Sequence, residues 1–294
     1  MPILSRRHFL AASAAAPLAA AFAKPINLQL YTLRNILPKD PRGVLAEVAR
    51  IGYQSVEPGR GSLTQLGPIC RDLKLTTPSV GLETPLVTGN WDAWKGLQAT
   101  MPAGYSLANA IADSKAHGAR FLVVSYLQQA ERTVGGLDFY RKFAEQMNIA
   151  GEQTRNAGIQ LCYHHHSFEF DPSAGQRPFE LLVERFDQQA VKFEVDIFWL
   201  KIGGQDVVAQ LNRLKGRVAC VHLKDIQAGT ATEYNEGKVA KEAFQEVGSG
   251  SLEIPAILKA CAAIGVDQYI VEQDQCPGSP LDSIRKSYQY LRSV

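Results

Sequence analysis

The chain has 294 residues, 46% of them hydrophobic and 20% charged, with a formal charge of +2. This composition excludes a disordered, collagen-like or disulfide-scaffold protein, and the length admits two ordinary domains or one α/β barrel of roughly 250 residues. Both surplus charges are Arg6 and Arg7. Beyond residue 23 basic and acidic side chains balance at 29 each, so the body gives no electrostatic case for nucleic acid or an anionic membrane.

Residues 1–23 read as an address. Ser5-Arg6-Arg7-His8-Phe9-Leu10 precedes an Ala-rich apolar run ending in Ala21-Phe22-Ala23, a small-residue cleavage pattern. Paired arginines before Phe-Leu resemble a twin-arginine signal, and the run is shorter than the ~20 residues of a spanning helix. The expectation is export to the periplasm with signal cleavage, leaving one domain over 24–294 and no membrane span. Cys70, Cys162, Cys220, Cys261 and Cys276 form no C-x-x-C pair, so buried free thiols are expected rather than a metal or redox motif.

After residue 24, short apolar runs alternate with amphipathic ones. Strands are predicted over 27–33, 54–57, 75–80, 119–125, 159–165, 191–198, 218–224 and 268–272. Helices are predicted over 41–51, 63–73, 105–117, 138–157, 178–186, 206–214, 254–264 and 281–291. Gly52, Gly118, Gly158, Gly216 and Gly265 stand where helix C-caps favour glycine. Strands and helices alternating in this way predict a single (β/α)8 TIM barrel of eight parallel strands. No G-x-G-x-x-G follows the first strand to support an open dinucleotide-binding sheet. The irregular stretches 84–104 and 228–250 are expected as loops at the C-terminal face.

Such a barrel carries its chemistry at the C-terminal ends of its strands. Four successive strands end in polar residues: His164, His166 and Glu169, then Glu194 and Asp196, then His222 and Lys224, then Glu272 and Asp274. Glu169, Asp196, His222 and Glu272 make a donor set suited to one divalent cation such as Mn²⁺, Mg²⁺, Co²⁺ or Zn²⁺. Without a cation, converging carboxylates would force at least one to stay protonated. Glu169 is set ahead of His164 or His166 as the fifth strand's ligand, although it lies past the strand end, where alternation no longer fixes direction. Gln29 and Tyr31 on one face of the first strand, and Glu57 ending the second, are expected at the same rim. They join His164, His166, Trp199 and Lys224 as candidate substrate contacts.

The motifs Gln29-Leu30-Tyr31-Thr32-Leu33-Arg34, Tyr163-His164-His165-His166-Ser167-Phe168-Glu169-Phe170 and Asp196-Ile197-Phe198-Trp199 carry a resemblance. So do Gly216-Arg217, Val221-His222-Leu223-Lys224-Asp225, Val247-Gly248-Ser249-Gly250 and Val271-Glu272-Gln273-Asp274. With them the chain resembles the xylose-isomerase-like TIM-barrel superfamily. That is the sugar phosphate isomerase/epimerase group, which also includes inosose dehydratases and type-IV apurinic endonucleases. The resemblance implies one divalent metal held by Glu169, Asp196, His222 and Glu272. It also implies that Glu169 and Glu272 flank the sugar and exchange protons with its carbons. The ketose 3-epimerase pattern is broken twice, by Trp199 and Ala228, where that pattern has His and Arg.

The expected function is therefore a metal-dependent sugar isomerase or epimerase acting through an enediolate on a neutral sugar or keto-sugar. Dehydration or keto-glycoside cleavage shares the first step. The non-enzyme alternative is a non-catalytic periplasmic sugar-binding protein, against which an acid/base pair argues; an endonuclease needs a basic groove. The partner is a small-molecule sugar, with homo-oligomerisation allowed but unspecified.

Overall fold

In the computed structural model, which describes residues 22–98 and 101–294, the eight predicted strands are all present and all parallel. They are β1 (Ile26–Gln29), β2 (Ser55–Glu57), β3 (Ser79–Leu82), β4 (Phe121–Val124), β5 (Gln160–His164), β6 (Val191–Asp196), β7 (Val218–Leu223) and β8 (Gln268–Val271). The sheet runs β2-β1-β8-β7-β6-β5-β4-β3. Isolated bridges Ser55–Thr76 and Gly59–Gly81 draw its two edges together into a nearly closed barrel. The outer ring is α1 (Pro41–Ile51), α2 (Arg60–Asp72), α3 (Leu107–Ala116), α4 (Gln129–Asn156), α5 (Pro178–Arg185), α6 (Val207–Arg213), α7 (Ile254–Ile264) and α8 (Pro280–Leu291).

Local chemistry sets the boundaries. Asp40 Oδ1 accepts the Gly43 N–H at 2.9 Å, Pro41 opens α1, and Val44, Leu45 and Val48 form its buried face. All five glycines read as helix stops have positive φ, from 79° to 122°. β1 is shorter than predicted because the Gln29 side chain accepts the Tyr31 N–H at 3.1 Å and starts a 3-10 turn over Leu30–Leu33. β3 begins late, after Pro78, which has no N–H to give a ladder. β6 stops at Asp196, whose Oδ1 caps the Phe198 and Trp199 N–H groups and opens the short helix Ile197–Ile202. α4 starts ahead of its predicted position and runs through a break at Gly136 (φ 51°, ψ −140°).

Strand alternation sorts the side chains into two populations. Outward residues such as Tyr163 and Phe193 pack edge-on or tilted against Phe143, Phe179 and Phe186 of the helix layer. Inward residues Phe121, Val123, Cys162, Cys220 and Ile270 form a separate apolar plug inside the barrel. Four of the cysteines are buried free thiols and Cys276 is a half-buried one, as expected.

Above β7, Asp225–Ile226 pairs antiparallel with Phe244–Gln245, and the Asp225 carboxylate accepts the N–H groups of Gly248 (3.0 Å) and Leu252 (2.9 Å). This folds the 227–250 segment into a strap. Its Glu236 takes the Tyr126 hydroxyl at 2.7 Å and forms an ion pair with Arg132. The expected signal segment, residues 1–23, lies almost wholly outside the described residues, with only Phe22 and Ala23 inside them. Among the described residues no helix is long and apolar enough to cross a membrane.

Candidate active site

Register brings the polar strand ends together. His164 lies opposite Glu194, Asp196 opposite His222, and His222 opposite Ile270, with Glu57 beside Gln29 on the far side of the barrel. Because side chains alternate, Glu57, His164, Glu194, Asp196, His222, Lys224 and Glu272 all turn inward above the apolar plug, and all are buried.

Glu194 organises the two histidines. Its Oε1 lies 3.2 Å from His164 Nδ1 and 3.0 Å from His222 Nε2, and Glu57 Oε1 lies 3.1 Å from the same His222 nitrogen. N–H groups donated to these carboxylates leave His164 Nε2 and His222 Nδ1 on the side of Asp196 Oδ2, at 3.9 and 3.8 Å. One ligand atom from each of His164, Asp196 and His222 lies within 4.8 Å of the others. Glu272 Oε2 is 2.9 Å from His222 Nδ1.

Lys224 closes the group. Its Nζ stands 2.8 Å from Asp196 Oδ2, 2.6 Å from Glu272 Oε2 and 2.6 Å from Asp274 Oδ2.

The charge balance is lopsided: carboxylates of Glu57, Glu194, Asp196, Glu272 and Asp274 surround one ammonium and two imidazoles. Burial alone would strip His222 of its proton, but Glu194 and Glu272 hold its pKa well above the usual imidazole range. Burial likewise opposes the Lys224 charge, and Asp196, Asp274 and Glu272 overcome it. Glu272 is raised by burial and pulled the other way more strongly by Lys224 and His222, so it stays ionised. Glu194 is pushed up by burial and by Glu57. His164 is driven down by burial and by the positive charge of His222. Two imidazole nitrogens and carboxylate oxygens, with Glu194 Oε2 free of hydrogen bonds and Asp196 Oδ2 met by the Lys224 ammonium, form a donor set that fits a borderline divalent cation.

Two sequence expectations are corrected. Glu169 does not reach the cluster. It lies on a 3-10 turn (Phe168–Phe170), buried behind β5, where it accepts the outward-facing Tyr163 hydroxyl and the His166 N–H at 2.8 Å. The fifth strand's contribution is His164, whose inward parity follows Cys162. Tyr31 leaves β1 through the 3-10 turn and is 53% exposed, beneath the Arg34 guanidinium, so it shares no face with Gln29. Arg34 itself donates to the Asp274 carbonyl at 2.6 Å.

The other expected contacts sit on the cluster's edge. Gln29 Nε2 donates to Glu57 at 2.5 Å, the His166 ring is 5.0 Å from His164, and Trp199 lies 5.2 Å from His166 with Lys224 Nζ 5.6 Å from its ring. Glu194 is the residue that sequence reasoning passed over as a functional group. Its position two residues before Asp196, on the same strand face, was the available signal.

The position of Glu169 has a measurable consequence. Burial, opposed by hydrogen bonds from Tyr163 and His166, pushes its pKa up to about 8 from 4.5. Below pH 4.5 folded and unfolded chains both hold the proton. As pH rises to about 8 the unfolded chain releases it and the folded chain does not, so stability falls by ~1.4 kcal/mol per pH unit from this group. Glu169→Gln is therefore expected to melt close to the unsubstituted chain at pH 5 and several degrees above it at pH 8. Thermal melts across that range check this, and a difference that stays constant with pH contradicts it.

A cavity of about 690 Å³ at the opposite, N-terminal end, lined by Asn27, Ser55 and Gln268, carries none of these groups. Residues 45–294 match the model of the xylose isomerase-like TIM-barrel family. The chain belongs to that family. Among curated relatives, the inosose dehydratase of Clostridium perfringens is 27% identical over 162 residues, covering 52% of this chain and 54% of the relative. The chain thus spans about half the length of the curated relatives it matches. Among solved structures, a sugar phosphate isomerase/epimerase from Parabacteroides distasonis superposes with a TM-score of 0.71 at 24% identity, covering 95% of this chain and 96% of that one. A xylose isomerase-like barrel from Mycobacterium smegmatis in complex with magnesium gives 0.65 at 14% identity, over 93% and 97%.

Proposed function

We propose that the protein is a sugar isomerase or epimerase that draws a proton from a carbon beside the carbonyl of a neutral sugar or keto-sugar. The observation that carries this reading is the buried excess of carboxylates converging with two histidines above the plug. His164, Asp196 and His222 would hold a divalent cation, with Glu272 beside them; when bound, the cation supplies Lewis-acid polarisation of the substrate carbonyl. Glu272, kept ionised by the Lys224 ammonium, is the base. Lys224 faces the charge that develops on oxygen as the proton leaves. Glu194 and Glu57 hold the imidazoles in one orientation, as carboxylates behind ligating histidines do. The twin-arginine-like leader favours a periplasmic enzyme that meets unphosphorylated sugars.

Dehydration is the second reading. With Glu169 behind β5, the two-glutamate exchange across a sugar ring is not built, whereas one base beside a fixed ammonium suits loss of a neighbouring hydroxyl. The similarity to inosose dehydratases points the same way.

The test is a panel of keto-sugars and inososes incubated with Mn²⁺-, Mg²⁺-, Co²⁺- or Zn²⁺-loaded protein in D₂O. Solvent deuterium is expected to appear at the carbon next to the carbonyl, and product mass separates isomerisation from loss of water. A panel with no exchange under any metal sinks both enzymatic readings.

A further inference from the structure

The groups of the candidate site are roofed. Glu57, His164, Asp196, His222, Lys224 and Glu272 are each at most 6% exposed, so a sugar reaches them only when part of that roof moves. Directly outside the cluster lies a layer of rings. His166 is 5.0 Å from His164, stacks on Phe168 at 5.4 Å with the rings 5° from parallel, and lies 5.2 Å from Trp199. The strap grips this layer at two places. At its base Phe244 stacks on Phe198 at 4.3 Å and meets Trp199 edge-on at 5.8 Å. At its tip Glu236 takes Tyr126 and Arg132. These two back the layer, with the Tyr126 ring 5.3 Å from His166 and the Arg132 guanidinium 3.5 Å from the Phe168 centroid.

The two grips differ in strength. The base is tied by the Asp225–Ile226 and Phe244–Gln245 pairing, by the Asp225 carboxylate on the Gly248 and Leu252 N–H groups, and by the Ser251 N–H on the Ile226 carbonyl at 2.9 Å. From Gln227 to Glu242, by contrast, no residue is buried. Half-buried Tyr234 and Val239 touch the core, and the Glu233 N–H donates to the Ile202 carbonyl at 3.1 Å. What remains is Glu236, whose ion pair with Arg132 is largely shielded from water on both sides. A segment with so little buried apolar surface opens locally at low cost unless such a contact holds it, and a shielded charge-assisted pair is stronger and less screened than an exposed one.

We propose that the strap is a lid over the cluster, that Glu236 is its latch, and that residues 228–242 swing on the clamped base to admit substrate. With Glu236 withdrawn, Arg132 loses its counter-charge and Tyr126 its acceptor, so Phe168 and His166 lose the backing that keeps them against His164. The lid goes beyond the sugar-enolising reading and takes from it only the cluster as the place to be reached.

Glu236→Ala, with Tyr126→Phe as the milder change, tests it on the full chain without metal or sugar, melts confirming that both variants fold. Hydrogen exchange resolved to single amides reads the lid, and mass-mapped carbethoxylation by diethyl pyrocarbonate reads access to His164 and His166. In Glu236→Ala the Glu233 amide is expected to exchange about ten-fold or more faster, the scale set by losing a hydrogen bond between charged groups from a locally opening segment. The Gln227 and Leu252 amides of the base keep their rates. Labelling of His164 and His166 rises by a similar factor, while that of His117, at the opposite end of the barrel, does not. Tyr126→Phe gives a smaller rise in both readouts. Exchange at Glu233, or labelling of the two histidines, that is unchanged in both folded variants overturns the lid. So does an acceleration shared equally by the base amides and His117, which marks loosening of the whole barrel. The two readings fail separately, because labelling needs neither metal nor sugar. A keto-sugar panel without deuterium exchange removes the enzymatic reading and leaves the lid, and unmoved labelling removes the lid and leaves the enzymatic reading.

Discussion

Glu272→Gln is expected to leave a folded barrel that exchanges substrate carbon protons with solvent at least ~10²-fold more slowly, within the range that a positioned general base contributes. The carboxylate accepts from Lys224 Nζ at 2.6 Å and lies 2.9 Å from His222 Nδ1. The amide oxygen of Gln keeps an acceptor in that place, and Lys224 retains Asp196 and Asp274 as counter-charges, so the fold survives while the base is gone. Glu169→Gln is the informative contrast, because Glu169 is turned towards Tyr163 behind β5 and its loss should spare exchange. Deuterium incorporation read by NMR decides between them, with calorimetric Mn²⁺ titration showing that the cation site persists in each variant. Exchange that survives Glu272→Gln, or vanishes with Glu169→Gln, removes the base assigned above.

The contrast between Glu272 and Glu169 shows how far sequence can carry a site. Glu272, His222, Lys224 and Asp196 sit at or next to the ends of regular strands, where a period of two fixes which face a side chain takes, and their inward placement follows from that alone. The barrel itself was legible for a similar reason: glycines with positive φ and residues such as Asp40 mark the helix ends chemically. Glu169 and Tyr31 lie past strand ends, where a 3-10 turn redirects the chain. In the first case the turn carries the carboxylate to the outer face of β5, and in the second a side-chain cap from Gln29 starts the turn. No periodicity encodes such a turn. The strand-6 boundary was hidden in the same way, since the Asp196 carboxylate both joins the cluster and caps the next helix. The partnership of Glu194 with both histidines depends on cross-strand register, including a shift between Phe193 and Glu194, which a single sequence does not display.

Lys224→Met is expected to be the most destabilising single change at the site, and the most revealing about the cation. The ammonium is buried against three carboxylate oxygens at 2.6 to 2.8 Å, and Met matches its length without its charge. Removing one partner of a buried ionic group leaves uncompensated charge and costs ~3–5 kcal/mol. For a barrel of this size that corresponds to a fall of roughly 6–20 °C in Tm when chelator is present. If His164, Asp196 and His222 hold a divalent cation, that cation faces the same carboxylates as the lost ammonium. Saturating Mg²⁺ or Mn²⁺ should then restore much of the loss, since a ligand at 100 times its Kd stabilises by ~2.7 kcal/mol. Melts with chelator and with added metal, on both the unsubstituted chain and the variant, separate the possibilities. An unchanged Tm in chelator means Lys224 is not the neutralising charge, and a variant indifferent to every divalent ion means the carboxylate excess is met by protons instead, which removes the metal from the proposed reaction.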